Sequence, residues 1–277
     1  MSKVLLSLVV AALLVAGILF FVYGRRPAAP LVEAPPAART RGAASVGVFR
    51  PSDAGWYLRN ANAAGNPEVA VHFGASGDVA VAGDWNGDGS DTIGVFRPSD
   101  RGWYLRNANA AGEPDLVLHY GGQGDVPLVG DWNGDGTDTI GVFRPADRSW
   151  HLRNSNTSGE ADSVFFYGAA GDVPVAGDWN GDGTNTIGVF RPSTGAWLLR
   201  NTNAAGEPDV TAYFGAAGDR PVTGDWNGDG TATLGVFRPS DAFWLLRNAN
   251  ANGDPDVPVF GYGTASDQPL AGDWDGR

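Results

Sequence analysis

After residue 45 the chain alternates short apolar runs with turn-forming residues. In the unit that opens near Asp78, the four runs cover residues 79–85, 92–96, 103–106 and 116–120. Asn-Gly, Asp-Gly and proline separate the runs, and none of the four has the length or spacing of a helix. The pattern therefore predicts four antiparallel β-strands per unit, which we call A, B, C and D in chain order.

The four-strand unit recurs at a fixed interval. A Gly-Val-Phe-Arg-Pro phrase returns every 47 residues, and a Gly-Asp-Trp phrase returns after steps of 47, 47, 47 and 48 residues. Four strands in a period of this length are typical of a β-propeller blade. The aspartates of the second phrase are Asp84, Asp131, Asp178, Asp225 and Asp273.

The two ends of the repeat region complement each other. The first copy begins at strand B (46–49) without a strand A, and the chain finishes with an unpaired strand A (269–274). Pairing the two would complete a fifth blade and remove exposed sheet edges. We therefore predict an all-β fold, a closed five-bladed β-propeller over residues 45–277. An open stack or a larger ring is the alternative.

The N-terminus has a different character. Residues 4–23 form an apolar run broken only by Ser7 and Gly17, long enough to span a bilayer as a helix. No small-residue cleavage site follows, so we predict an uncleaved transmembrane anchor over residues 1–26 and a Pro/Ala-rich linker over 27–44. The arginines after the run favour a cytoplasmic propeller. The loops described below favour an extracytoplasmic one, which we expect.

Charge and composition restrict the partners. The formal net charge is -12, from 31 acidic and 19 basic residues, which argues against nucleic acid as a ligand. The chain has no cysteine, which excludes disulfides, thiolate metal sites and a cysteine nucleophile.

Each A–B hairpin carries a run of oxygen ligands. Asp84, Asn86 and Asp88 occupy positions one, three and five of a tight loop, with Gly89 at position six. This is the front half of a calcium loop, although Val95 at position twelve excludes an EF-hand. Plain turns capped by Asp and Asn are the alternative. The candidate ligands for up to four Ca²⁺ ions are Asp84, Asn86, Asp88, Asp131, Asn133, Asp135, Asp178, Asn180, Asp182, Asp225, Asn227 and Asp229.

These loops carry a family resemblance. The segments 83–89 and 93–96, with the Phe73-Gly74 pair ahead of them, resemble the FG-GAP/VCBS-like repeats of integrin-α-type propellers and their bacterial relatives. The resemblance covers residues 46–277 and implies calcium in the A–B hairpins and a role in adhesion or recognition. The sequence departs from this family at one ligand position. At the ninth position of the loop it has threonine, Thr92 in the first loop. Acidic residues lie one place earlier only at Asp91 and Asp138.

Residues that break the repeat are candidates for ligand recognition. Arginines and tryptophans that recur in every unit are expected to be structural, through Arg–Asp pairing and core packing. Loops on a rigid scaffold commonly bind ligands, and several unrepeated residues fall in or near the B–C and D–A turns. They are Arg101, Gln123, Arg148, His151, Arg220, Phe243 and the insertion at 261–263.

The sequence contains no catalytic constellation. His72, His119 and His151 have no glutamate or second histidine at ligand spacing, so we expect no enzyme activity. We predict a membrane-anchored, surface-displayed, calcium-binding module for carbohydrate or protein. Tachylectin-type sugar-binding propellers resemble it in period, without a shared motif. The alternatives are an assembly domain docking on another membrane component or, less favoured, a propeller glycosidase or lyase.

Overall fold

The computed structural model describes residues 42–277, which form twenty β-strands and no helix. The predicted anchor and all but the last three residues of the predicted linker lie outside this range. Within it, no helix has the length and hydrophobicity needed to cross a membrane.

The strands form five four-stranded antiparallel sheets, which we number as blades in chain order. Blade I comprises β20 (Gln268–Gly272), β1 (Ser45–Arg50), β2 (Gly55–Leu58) and β3 (Val69–His72). Blade II comprises β4 (Val79–Gly83), β5 (Thr92–Arg97), β6 (Gly102–Leu105) and β7 (Leu116–His119). Blade III comprises β8 (Val126–Gly130), β9 (Thr139–Arg144), β10 (Ser149–Leu152) and β11 (Ser163–Phe166). Blade IV comprises β12 (Val173–Gly177), β13 (Thr186–Arg191), β14 (Ala196–Leu199) and β15 (Val210–Tyr213). Blade V comprises β16 (Arg220–Gly224), β17 (Thr233–Arg238), β18 (Phe243–Leu246) and β19 (Phe260–Gly261).

The blades close into a ring, which makes the fold a five-bladed β-propeller. The inner strand of each blade contacts the inner strands of both neighbours, in the cyclic order β4, β8, β12, β16, β20 and back to β4. The closure follows from the pairing of the last strand with the first, which aligns Gly47 with Leu270 and Phe49 with Gln268. The predicted fold and the predicted clasp between the chain ends are both confirmed.

Both faces of every blade are buried, because each packs against a neighbour. In blade II, Phe96 and Trp103 pack with Ile140 and Val142 of blade III in one apolar cluster. The rings of Phe96 and Trp103 are tilted with centroids 5.2 Å apart, a favourable aromatic geometry that recurs in every blade. The Trp103 indole N–H donates to the carbonyl of Tyr120 at 3.2 Å, so the one polar atom of this buried ring is satisfied.

The repeated arginines at the end of strand B pair with buried aspartates of their own blade. The guanidinium of Arg97, at the end of strand B, forms a bidentate ion pair with the carboxylate of Asp78, which precedes strand A. Both distances are 2.8 Å, and the Asp78 side chain is only 1% exposed. In blade I the partner of Arg50 is Asp267, whereas Asp53 caps the amide of Gly55. The expectation of a structural role for these arginines is confirmed.

Candidate functional site

The A–B loops are closed by hydrogen bonds to their own amides. In blade III the Asp131 carboxylate accepts the N–H groups of Gly134 at 2.7 Å, Asp135 at 3.1 Å and Gly136 at 2.7 Å. The Asp135 carboxylate accepts the amide of Thr137 and the side-chain N–H of Asn133, both at 2.9 Å. Blades II, IV and V repeat this arrangement with small variations. Each loop is therefore a complete turn without a cation.

The donor set of these loops fits calcium only in part. Each loop offers two carboxylates and one carboxamide, whereas Ca²⁺ takes six to eight oxygen ligands. Among residues 42–277, no group of three or more acidic or histidine side chains is arranged to hold a metal. Calcium at the twelve predicted ligands therefore stays a prediction.

Burial shifts the pKa of the first aspartate in two of these loops. It raises the pKa of Asp131 and of Asp178 above the ordinary aspartate value, while the hydrogen bonds from the loop amides oppose the shift. The charged form of these carboxylates is therefore disfavoured relative to a solvated aspartate.

Asp91 and Asp138 join neighbouring blades. Each lies one place before the threonine at the ninth loop position. The peptide N–H of Asp138 donates to the carbonyl of Asp84 at 2.8 Å, and the Asp138 carboxylate accepts the Asp84 amide at 2.9 Å. Asp91 and Asp273 form the same reciprocal pair, at 2.8 Å in both directions. The later repeats carry Asn or Ala at this position and keep the inter-blade backbone hydrogen bond. Sequence reasoning missed this role.

The inner strands and A–B loops enclose an acidic cavity at one end of the central channel. Its volume is about 470 Å³. Small side chains such as Ala82 and Ala176 form its wall, and the loop aspartates Asp131, Asp178 and Asp225 surround it. Within the described range no basic side chain lines it. These aspartates also close their own loops, so the acidic lining repeats from blade to blade.

A second kind of cavity lies between neighbouring blades. One wall comes from the B–C turn and the end of strand D of one blade, and the other from strands B and C and the C–D loop of the next. The cleft between blades II and III, called the II/III cleft, has a volume of about 570 Å³. The equivalent V/I cleft, between blades V and I, has about 400 Å³.

The structure brings two of the predicted repeat-breaking residues together. Arg101 and His151 both line the II/III cleft, where His119 joins them. The insertion at 261–263 lines the V/I cleft. Gln123, Arg148, Arg220 and Phe243 line neither of these two cavities. The B–C and D–A turns alone do not form the site, because the C–D loop of the following blade supplies part of its wall.

Hydrogen bonding places a proton on Nε2 of His151. The Ser149 hydroxyl donates to the Asp147 carboxylate at 2.6 Å and therefore accepts from Nε2 of His151 at 2.9 Å. Burial, followed by the charge of Arg144, lowers the pKa of His151, whereas Asp125 and Asp147 act in the opposite direction. The neutral form of His151, with Nδ1 as an acceptor, is therefore favoured relative to a solvated histidine.

The chain matches no family model, no curated protein and no solved structure when it is compared with known proteins. The class that the structure defines is the five-bladed β-propeller.

Proposed function

We propose that this propeller is a non-catalytic binding or adhesion module for carbohydrate or protein, displayed outside the cell on the N-terminal anchor. One observation carries the proposal. Residues that depart from the five-fold repeat meet in one cavity, the II/III cleft, although Arg101 and His151 belong to different blades. A rigid repeated frame with one differentiated cavity is suited to selective binding.

The resemblance of the A–B loops to FG-GAP/VCBS-like repeats supports the same proposal. The relatives that it indicates serve in adhesion and recognition, and a bacterial origin belongs to the proposal as well. Calcium in these loops would stabilise the ring from the end of the channel. The binding role of the II/III cleft does not depend on it.

The order of the groups around Ser149 supports a non-catalytic role. In a catalytic relay the histidine stands between the carboxylate and the nucleophile. Here the serine stands between Asp147 and His151, and its hydroxyl already donates to the carboxylate. Ser149 is also only 2% exposed, which keeps it from a substrate.

A glycan array probed with the full-length chain, in parallel with affinity isolation of partner proteins, tests the proposal. Selective binding of a glycan class or of one protein supports it. Turnover of an array glycan would contradict the non-catalytic part, and no selective ligand in either arm would contradict the whole.

The alternative, an assembly domain that docks through its rim, has one observation in its favour. The outer strands of blades III and IV expose Val164, Phe166 and Tyr213 at 55%, 60% and 54% of their surface. Large exposed apolar side chains are a common feature of protein interfaces. Replacing Phe166 and Tyr213 by serine would abolish capture of a membrane partner under this alternative and leave glycan binding intact.

A further inference from the structure

The II/III cleft carries residues that no other repeat has at two positions of a common frame, 151 and 161, whereas Arg101 and His119 each recur once, as Arg148 and His72. Position 161 shows the difference best, since alanine occupies it only in blade III. The other four repeats carry proline there, at Pro67, Pro114, Pro208 and Pro255. Losing a proline ring from the wall agrees with the larger volume of this cleft relative to the V/I cleft.

The polar side chains of the cleft are also unrepeated as a set. Where blade II has Arg101 and His119, blade V has Ala242 and Gly261. Where blade III has His151, blade I has Tyr57. The II/III cleft therefore adds the guanidinium of Arg101 and two imidazoles to a wall that also contains Arg144 and Glu160.

Arg101 holds an unfavourable backbone conformation at the rim of the cleft. Its φ is 61°, in the left-handed region that favours glycine, and the equivalent residue of blade IV is Gly195 with φ 69°. Ala54, Arg148 and Ala242 hold the same conformation at this position, so the strain belongs to the shared B–C turn. Among the described residues, Arg101 also has no carboxylate partner within ion-pair distance, although the chain carries a net charge of -12.

Tyr120, which lines the cleft, has an unsatisfied hydroxyl. Tyr120 is 9% exposed, and its hydroxyl is buried without a hydrogen-bond partner among residues 42–277. Tyr167 and Tyr262 share this property, so the hydroxyl belongs to the common frame. A buried polar group without a partner costs free energy in every blade that has this tyrosine.

We propose that the II/III cleft binds a sugar that carries a carboxylate, such as a uronic acid unit. The guanidinium of Arg101 suits a carboxylate because it can form two parallel hydrogen bonds. The imidazoles of His119 and His151 suit sugar hydroxyls, which both donate and accept. The assignment rests on the proposed binding function and names its ligand class.

The test uses the full-length chain and pairs of ligands that differ only in the carboxylate. Oligomers of galacturonate, glucuronate and mannuronate are titrated by calorimetry beside their methyl esters. A chelator is present throughout, so that calcium contributes to neither loop nor ligand. We expect at least one acid to bind about tenfold or more tightly than its ester.

Arg101→Gly is the most informative variant, because it removes the guanidinium and relieves the backbone strain. We expect the melting temperature to stay or rise while the affinity for the acid falls about tenfold or more. Ala242→Gly is the matched control, since it relieves the same strain (φ 59°) in the V/I cleft and should leave uronate binding unchanged. Ala161→Pro restores the residue of the other repeats and should weaken binding by narrowing the cleft.

Equal binding of acid and ester, or full affinity in Arg101→Gly, overturns the carboxylate assignment. Uronates that fail to bind at about millimolar concentration also overturn it. If neutral glycans or a protein then bind in the array and isolation experiments, the proposed function stands without this assignment. If nothing binds in any arm, both fail.

Discussion

The A–B loops and the II/III cleft represent two opposite uses of the same repeat. In the loops, equivalent aspartates recur from blade to blade, and their oxygens accept N–H groups of the loop itself, as Asp131 does for Gly134 and Gly136. In the cleft, the combination of Arg101, His119 and His151 occurs in no other repeat, and Arg101 has no carboxylate partner within ion-pair distance in the described structure.

This difference separates architecture from recognition. Groups that are repeated and internally satisfied stabilise the ring, so changing them should alter stability. Changing groups that are unrepeated and unsatisfied should alter ligand binding with little effect on stability. The predictions below test this division from the largest expected effect to the smallest.

Removing residues 268–277 should have the largest effect. The truncation deletes β20 and the buried Trp274, leaves blade I without its inner strand and exposes the edges of β1, β4 and β16 to solvent. We expect the single cooperative unfolding transition to be lost. Tryptophan fluorescence and circular dichroism measure this transition. Removing only the last three residues, beyond Trp274, is the control and should preserve the transition. A truncated chain that melts like the parent would show that ring closure is not needed for stability.

Asp78→Ala should destabilise the fold by about 3 kcal/mol, because it leaves the partly buried Arg97 without its carboxylate. The Asp78 carboxylate also accepts the amide of Ala75 at 2.8 Å, which loses its partner. Chemical denaturation measures the change.

The control for Asp78→Ala is Asp115→Asn. The Asp115 side chain is 45% exposed and lies 3.8 Å from Arg106, so its loss should cost less than about 1 kcal/mol. Equal losses for the two variants would contradict a distinction between the buried and the exposed pairs.

Asp135→Asn separates the two interpretations of the A–B loops. As a plain turn, the loop keeps an acceptor for the Thr137 amide, and stability should change by less than about 0.5 kcal/mol with or without calcium. If the loops bind calcium, as the resemblance predicts, calcium raises the melting temperature of the parent and the variant loses one site in calorimetry. No heat and no thermal shift at millimolar calcium in the parent would leave the loops as turns.

The smallest effect should be the pH response of His151. Burial lowers its pKa in the folded state below the unfolded value of about 6.5. The folded state therefore binds the proton less tightly, and its stability is retained above that value and lost as the pH falls through it. Leucine occupies this position in blade IV, so His151→Leu is the variant of choice. It should reduce the pH dependence of the melting temperature between about pH 7.5 and pH 5. Identical slopes for parent and variant would contradict the assignment.

Much of the fold could be predicted because its signals are local. The Asp-Gly turns and the alternation around Trp103 mark four strands within one unit, and the missing strand A at the start matches the extra one at the end. The role of Asp138 could not be predicted in this way. Its carboxylate bonds the amide of Asp84, 54 residues away in the preceding blade, so its partner belongs to a different repeat.

The sequence by itself determined the period, the strand order and the closure of the ring, because turn chemistry and apolar alternation act between neighbours along the chain. Only the tertiary structure decided that Arg101 and His119 of blade II would face His151 of blade III in one cleft. Those residues occupy different positions of the repeat, and only the packing of one blade against the next brings them together. The architecture was thus encoded within each unit, whereas the candidate site depends on contacts between units.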